Sequence, residues 1–414
     1  MNQSKSNYWI CCQIGAREHY AIPRALHQTK QLASLITDAW ISPTSPINQL
    51  PKYVLTNLRE RYHSDLDQAS IQSFTNSLIQ LEITQRFLKQ TGWEKIIARN
   101  NWFQHKTVKV LRKLSLELAN FRYPPIIFSY SYAALGIFRY AKSQGWQTIL
   151  GQIDPGITHE KIVIQECSKY SSYQTAWKLA PSYYWEKWHQ ECSLADRIIV
   201  NSTWSSQALQ EVGIDREKIN IIPLAYQISK QINNFQRKYP LQFSNHRPLR
   251  VLFLGNVVLN KGIIHLLEAA KLLKDQPIEF LIVGLVGVTK PVSEEYNQVK
   301  WIGAVPRSMT ASYYQQADVF IFPTLSDGFG LTQLEAQAWK LPIIASRNCG
   351  EVVVDGVNGC LLSEVSGVAI AQALKFCLNN PWQLEAFAKK STDTSCFSLP
   401  QLQQSLQALP YAVV

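Results

Sequence analysis

Short runs of consecutive apolar residues alternate along this chain with longer stretches whose apolar residues recur every three or four positions. Tyr8–Ile14 predicts a strand that stops at Gly15, and Ile22–Leu35 carries apolar residues at helical spacing. Pro125–Ser129 and Thr148–Leu150 predict further strands, with a helix over Ala133–Lys142 between them. A helical stretch, Tyr183–Leu194, leads into strands at Arg197–Val200 and Ile219–Ile222. Such alternation points to a parallel, doubly wound sheet.

The rhythm breaks at 227–248, a polar, aperiodic segment read as a linker. A second series follows: strand Leu249–Leu254, helix Ile263–Leu273, strands Ile278–Val283 and Val299–Ile302, helix Ser308–Gln316, and strand Val319–Phe322. Helix Gln333–Trp339 and strand Pro342–Ala345 complete it. The expected α/β organisation is a Rossmann-like domain over 1–226, a second over 249–385, and a helical tail over 386–414 that returns to the first domain. Two such halves leave a cleft between them, faced by the loops at the carboxyl ends of the strands.

The segment Thr44–Lys113 departs from this pattern and is read as a mainly helical insertion. Between Arg86 and Lys113 it holds eight basic residues against one acid, Glu94, interleaved with Trp93, Trp102 and Phe103. That composition suits an anionic membrane surface, and it suits equally a solvated insertion whose aromatics pack inward. The 414 residues are 46% apolar and 17% charged, which excludes wholesale disorder. A net charge of +11 implies an anionic partner. Most of the surplus falls early: residues 1–225 carry 25 basic and 17 acidic side chains, against 16 and 13 in the remainder.

The longest apolar run, near Phe280–Val288, is about half the length of a membrane span, and the first residues lack the apolar stretch of a signal peptide. The expected location is cytoplasmic, or peripheral at the inner membrane face. Eight cysteines, Cys11 and Cys12 adjacent and the other six scattered singly, lack C-x-x-C spacing and read as reduced thiols, and no metal-ligand spacing is present.

The stretch with most chemistry is Phe322–Cys349. A buried strand ends at Pro323, a loop with Gly328 and Gly330 follows, and a helix opens near Thr332. Glycines there let backbone approach a ligand, and the N–H groups at a helix start attract phosphate. Asp327 and Glu335 lie eight positions apart, spaced to grip two ends of a polyhydroxy ligand. This region resembles the E-x7-E element of family 4 glycosyltransferases, with Asp327 where the first Glu usually stands and Glu335 at the second. Three more ordered elements are similar to that family's: Phe253–Gly262 with Gly255, Asn256 and Lys261; Glu351–Gly359; and Ala195–Ser202.

The resemblance implies a GT-B fold and retaining, metal-independent transfer of a hexosyl group from a UDP- or GDP-sugar to a glycan, lipid-linked or small-molecule acceptor. It implies that Lys261 binds the donor pyrophosphate and Glu335 the ribose hydroxyls. Asp327 with the backbone of Gly328, Phe329 and Gly330 would contact the sugar, and the N–H groups of Leu331 and Thr332 would complete the phosphate site. The family's Arg after the glycine is Asn256 here; Arg347 either replaces it in the cleft or lies on the surface. The family's sugar-contacting His is absent from Thr148–Gly156, where Gln152 and Asp154 stand, with His159 further on. Gly15, Arg17 and His19, in the turn after the first strand, are candidates for acceptor or phosphate contact.

Two other readings compete. A basic nucleic-acid-binding protein would account for the charge but not for the acid pair, so no nucleic-acid partner is expected. A catalytically silent GT-B protein that binds a sugar nucleotide is compatible with Asn256 and the absent His.

Overall fold

The computed structural model describes residues 8–49, 58, 61–118, 124–173, 178–227, 232, 235–291, 294–391 and 394–409. The first sheet is built from β1 (Trp9–Gln13), β2 (Leu32–Thr37), β3 (Ile71–Ser73), β4 (Ile126–Tyr130), β5 (Gln147–Gly151), β6 (Arg197–Val200) and β7 (Ile219–Ile221), in the order β3-β2-β1-β4-β5-β6-β7. Its helices are α1 (Ala21–Gln28), α2 (Thr75–Phe87), α3 (Gly92–Leu118), α4 (Leu135–Ser143), α5 (Ile157–Lys169), α6 (Ser182–Leu194) and α7 (Thr203–Glu211). Every pairing is parallel, and β1 and β4 are buried along their whole length, as a sheet covered on both faces requires.

The second sheet repeats the plan with β8 (Leu249–Leu254), β9 (Ile278–Val283), β10 (Val299–Gly303), β11 (Val319–Phe322), β12 (Ile343–Ala345) and β13 (Gly359–Leu361), ordered β10-β9-β8-β11-β12-β13. Helices α8 (Ile263–Leu272), α9 (Arg307–Gln316), α10 (Leu331–Ala338), α11 (Gly367–Asn379) and α12 (Pro381–Lys389) accompany it. The last helix, α13 (Leu399–Gln407), sets Leu402 and Leu406 into the first domain's core beside Ala21, Ile22 and Ala25 of α1. Each sheet reverses its winding at the centre, between β1 and β4 in one and between β8 and β11 in the other. These switch points are where loops diverge and a ligand finds room.

Three readings of the sequence change. The helix expected over Ile22–Leu35 ends at Gln28; Lys30 turns the chain with φ 57°, and Leu32–Thr37 is a strand. No glycine or proline marks that turn, so the helical spacing ran on into LASLIT. The 44–113 insertion is helical in α2 and α3 but also carries an edge strand, β3. Its aromatics face the protein: Phe103 is fully buried, Trp102 meets Phe74 edge-on, and the Trp93 indole donates to the Lys178 carbonyl at 2.7 Å. The exposed face carries Lys95, Lys109, Arg112 and Lys113, and the α2–α3 turn exposes Phe87 and Leu88. Among the described residues, no helix is long and apolar enough to cross a membrane.

Candidate active site

At the switch point of the second sheet, β8 runs into Gly255 and Asn256, and a short turn over Leu259–Lys261 delivers Lys261. Gly262 ends that turn at φ 73°, and a Cβ on it would lie 1.9 Å from the Pro323 carbonyl oxygen. Only glycine fits such an approach, so the loop carrying Lys261 is pinned to the loop leaving β11. That second loop brings Asp327 to Lys261, and the ammonium and carboxylate form an ion pair, both partly shielded from water. Phe329 is buried and its carbonyl accepts the Gly350 N–H at 2.9 Å, which anchors the loop before α10 starts at Leu331. The first N–H groups of α10, those of Leu331 and Thr332, have no preceding turn to bond to and open toward the same space.

Glu335 lies one turn inside α10, where the Tyr314 hydroxyl from α9 donates to its Oε2 at 2.8 Å. Tyr314 is fully buried, and burial with the neighbouring carboxylate pushes its hydroxyl well above the usual tyrosine range, so it stays a donor. Burial and Glu335 likewise hold the Tyr226 hydroxyl up at about 12. Arg307 carries positive charge into this group and reaches across to His19 of the first domain, Nη1 to Nε2 at 2.7 Å.

The opposite wall is the loop after β1. Asp38, completely buried at the end of β2, accepts the Gly15 N–H at 2.8 Å and pairs with Arg99 at 2.5 Å and Arg61 at 3.6 Å. Gly15 has φ 83°, and a Cβ there would meet the Arg61 guanidinium at 2.3 Å. Arg17 lies over the Tyr130 ring, 5.6 Å from its centroid. Then Glu18, His19 and Tyr20 take φ values of 52°, 52° and 59°, three consecutive side-chain-bearing residues in the left-handed region. Burial pushes the Glu18 carboxyl up to about 7, and burial with the nearby Arg307 charge pushes His19 down to about 4.

The two walls enclose a cavity of about 360 Å³. It brings together Arg17, Asn256, Lys261, Asp327, Gly330 and Thr332 with Gly255, Phe329 and Leu331, while Glu335 sits behind it on α10. Around the rim the domains touch directly. The Thr203 N–H donates to Glu351 Oε1 at 2.9 Å, and a Cβ on Gly328 would lie 2.5 Å from the Ile153 carbonyl oxygen.

Several expected site residues are elsewhere. Arg347 is exposed on the loop after β12 and does not line the cavity. Gln152 is buried and turned inward, accepting the Trp188 indole N–H at 2.9 Å and donating to the Asp154 carbonyl at 3.0 Å. Asp154 accepts the Gly156 N–H at 2.9 Å and the Tyr132 hydroxyl, so its carboxylate shapes the entry to α5. His159, in the first turn of α5, is held below the ordinary histidine range by burial, with the charges of Asp154, Lys261 and Asp327 also acting on it, and its Nδ1 is buried without a partner. Glu18, Asp38, Tyr314 and Arg307 were not singled out in the sequence. Their roles depend on contacts between distant segments, and only the run Gly15–Tyr20 hinted at one of them.

The architecture, two parallel sheets facing a shared cleft, is the GT-B fold. Sucrose-phosphate synthase from Thermosynechococcus elongatus superposes with a TM-score of 0.63 at 18% identity, over 97% of this chain and 98% of its own. Anabaena Alr3699/HepE, solved in complex with UDP, superposes with a TM-score of 0.59 at 14% identity over 97% and 98%. Residues 248–380, the second domain, match the family model described as "Glycosyl transferases group 1". The amylovoran biosynthesis glycosyltransferase AmsK of Erwinia amylovora is 27% identical over 191 residues, 42% of this chain and 45% of its own. The chain spans about half the length of the curated relatives it matches.

Proposed function

We propose that the protein is a retaining family 4 glycosyltransferase that moves a hexosyl group from a UDP- or GDP-sugar to a hydroxyl of a glycan, lipid-linked or small-molecule acceptor. The observation that carries this reading is the Lys261–Asp327 ion pair at the β8/β11 switch point, beside the amino end of α10. A donor pyrophosphate at the helix start would draw the ammonium to itself and free the Asp327 carboxylate for the sugar hydroxyls. Glu335, held by Tyr314, is set to accept the ribose hydroxyls.

Lys261 and the α10 amides would stabilise the charge that develops on the departing diphosphate, with no resident metal. In this reading the donor phosphate helps deprotonate the incoming hydroxyl, and the contacts around Thr203 and Gly328 keep water out. The exposed basic face of α3, with Phe87 and Leu88 beside it, supports a peripheral contact with an anionic inner membrane surface, where a lipid-linked acceptor would be found.

A silent sugar-nucleotide-binding protein is the second reading, favoured by Asn256, which leaves Lys261 without a neighbouring phosphate-binding cation on its own loop. Nucleotide release from a panel of UDP- and GDP-sugars separates the two. Turnover supports transfer, and saturable binding with no release under any acceptor supports the silent protein.

A further inference from the structure

Asp38 is fully buried beneath the loop after β1, and its carboxylate already has its partners. It accepts the N–H groups of Gly15 and Ala39 at 2.8 and 3.0 Å and a bond from Arg99 at 2.5 Å, and the Arg99 charge balances its own. Arg61 is a second guanidinium at the same place. Its side chain is only 13% exposed, and its ion pair with Asp38 Oδ1, at 3.6 Å, is too long for a hydrogen bond. The Nε atoms of Arg61 and Arg99 are both buried without a partner. Among the described residues, no other carboxylate pairs with either arginine.

Two guanidinium groups therefore share one carboxylate, and a positive charge is left over in a shielded place. A charge withdrawn from water without a partner opposes folding, so its presence calls for an ion that completes it. Guanidinium groups offer donors only, and their fork matches the paired oxygens of a phosphate or a carboxylate. Arg99, 31% exposed, leaves the group open to solvent on its own side.

The position says which substrate would bring the anion. Gly15 lies against Arg61, and two residues further on Arg17 lines the cavity that holds Lys261 and Asp327. Arg61 thus stands on the first-domain side of the cavity, while Lys261 and the amino end of α10 belong to the second domain.

We propose that Arg61, with Arg99 beside it, binds an anionic group of the glycosyl acceptor, a phosphate ester or a carboxylate, while an acceptor hydroxyl enters the cavity. This rests on the transferase reading and names the acceptor class within it, a charged sugar or alcohol and not a neutral glycan. The same chemistry is presented by a uronate, a soluble sugar phosphate or a lipid phosphate.

The test follows nucleotide release by the full chain from UDP-glucose and GDP-mannose. The acceptors are methyl glucoside, methyl glucuronide, glucose 6-phosphate and phosphatidylglycerol vesicles, which separate the neutral case from the three charged ones. At least one charged acceptor should exceed methyl glucoside about tenfold in kcat/KM. Arg61→Gln should abolish that preference through a higher KM for the charged acceptor, and Arg61→Lys should restore part of it. Without ligand, Arg61→Gln should unfold at or above the wild-type temperature, because it removes an uncompensated charge.

Equal use of neutral and charged acceptors overturns the proposal, as does an Arg61→Gln variant that loses all acceptors alike, melts several degrees lower or fails to fold. No nucleotide release with any acceptor overturns the transferase reading itself. The anion site is then read from thermal unfolding at saturating UDP: a rise with a charged compound that Arg61→Gln loses supports it, and no rise overturns it.

Discussion

The two sheets end in loops that solve the same problem by different means. Around Lys261 the second domain uses backbone: Gly262 lets one loop touch the Pro323 carbonyl, and α10 turns its first N–H groups to the cavity. Around Glu18 the first domain uses side chains: buried Asp38 gathers Gly15, Arg61 and Arg99, and three left-handed residues follow. On the proposed reading the ligand here is a pyrophosphate, the same in every sugar nucleotide, so amides and one ammonium would suffice to hold it. An acceptor hydroxyl, proposed for the other wall, is particular, and side chains would supply the shape and charge that particular ligands need. The match to a family model follows the same division, covering residues 248–380 only.

This contrast can be broken at several points. The largest effect is expected from Lys261→Ala, which should lower nucleotide release about a thousandfold, as loss of one charge-stabilising donor does elsewhere. Release within tenfold of wild type would move the phosphate site away from β8. Next is Gly262→Ala, which sets a Cβ against a backbone carbonyl that cannot move. It should cost about 3 kcal/mol in urea unfolding. Gly15→Ala meets only a guanidinium that can shift, and should cost about 1–2 kcal/mol, chiefly from its left-handed φ. Equal losses would mean that the two loops are equally rigid.

Tyr314→Phe leaves Glu335 without its hydroxyl donor and should weaken UDP binding about tenfold while costing about 1 kcal/mol of stability. In the opposite wall, His19 is held at about 4 against an ordinary value of 6.5, so it folds neutral. Its folded value lies below the unfolded one, so the stability it contributes is complete above 6.5 and is lost as pH falls toward 4. His19→Gln should flatten that part of the melting-temperature profile, and an unchanged profile would contradict the assignment. The smallest effect on transfer to a soluble acceptor belongs to charge reversal at Lys109, Arg112 and Lys113. That triple variant should instead lose binding to phosphatidylglycerol vesicles, by about 1 kcal/mol for each basic residue removed.

Which parts were legible follows from this division. Strands such as Leu249–Leu254 and Ile278–Val283 announce themselves because a sheet covered on both faces leaves apolar runs, interrupted here only by Arg250 and Glu279. The loop between β11 and α10 was readable because glycines, a helix start and an acid pair lie within one short segment. The wall after β1 was not, since Asp38, Glu18 and Arg99 come from three separate segments whose meeting depends on the tertiary fold. Gln152 and Asp154 were misplaced for a related reason. They lie at the right strand end, but Trp188 and Tyr132 take their polar atoms inward. Nothing in the helical spacing of Ser308–Gln316 distinguishes Tyr314; only the fold lays it against Glu335.

The central claim is that the switch point between β8 and β11 holds a sugar nucleotide through Lys261. Thermal unfolding of wild type and Lys261→Ala with UDP, UDP-glucose, GDP and GDP-mannose tests it most directly, because a ligand that binds only the folded state raises its stability. The account predicts a rise of several degrees for wild type with one nucleotide series, and no rise for Lys261→Ala, whose melting temperature without ligand is close to wild type. An equal rise in both proteins, or none in wild type with any of the four, would contradict it.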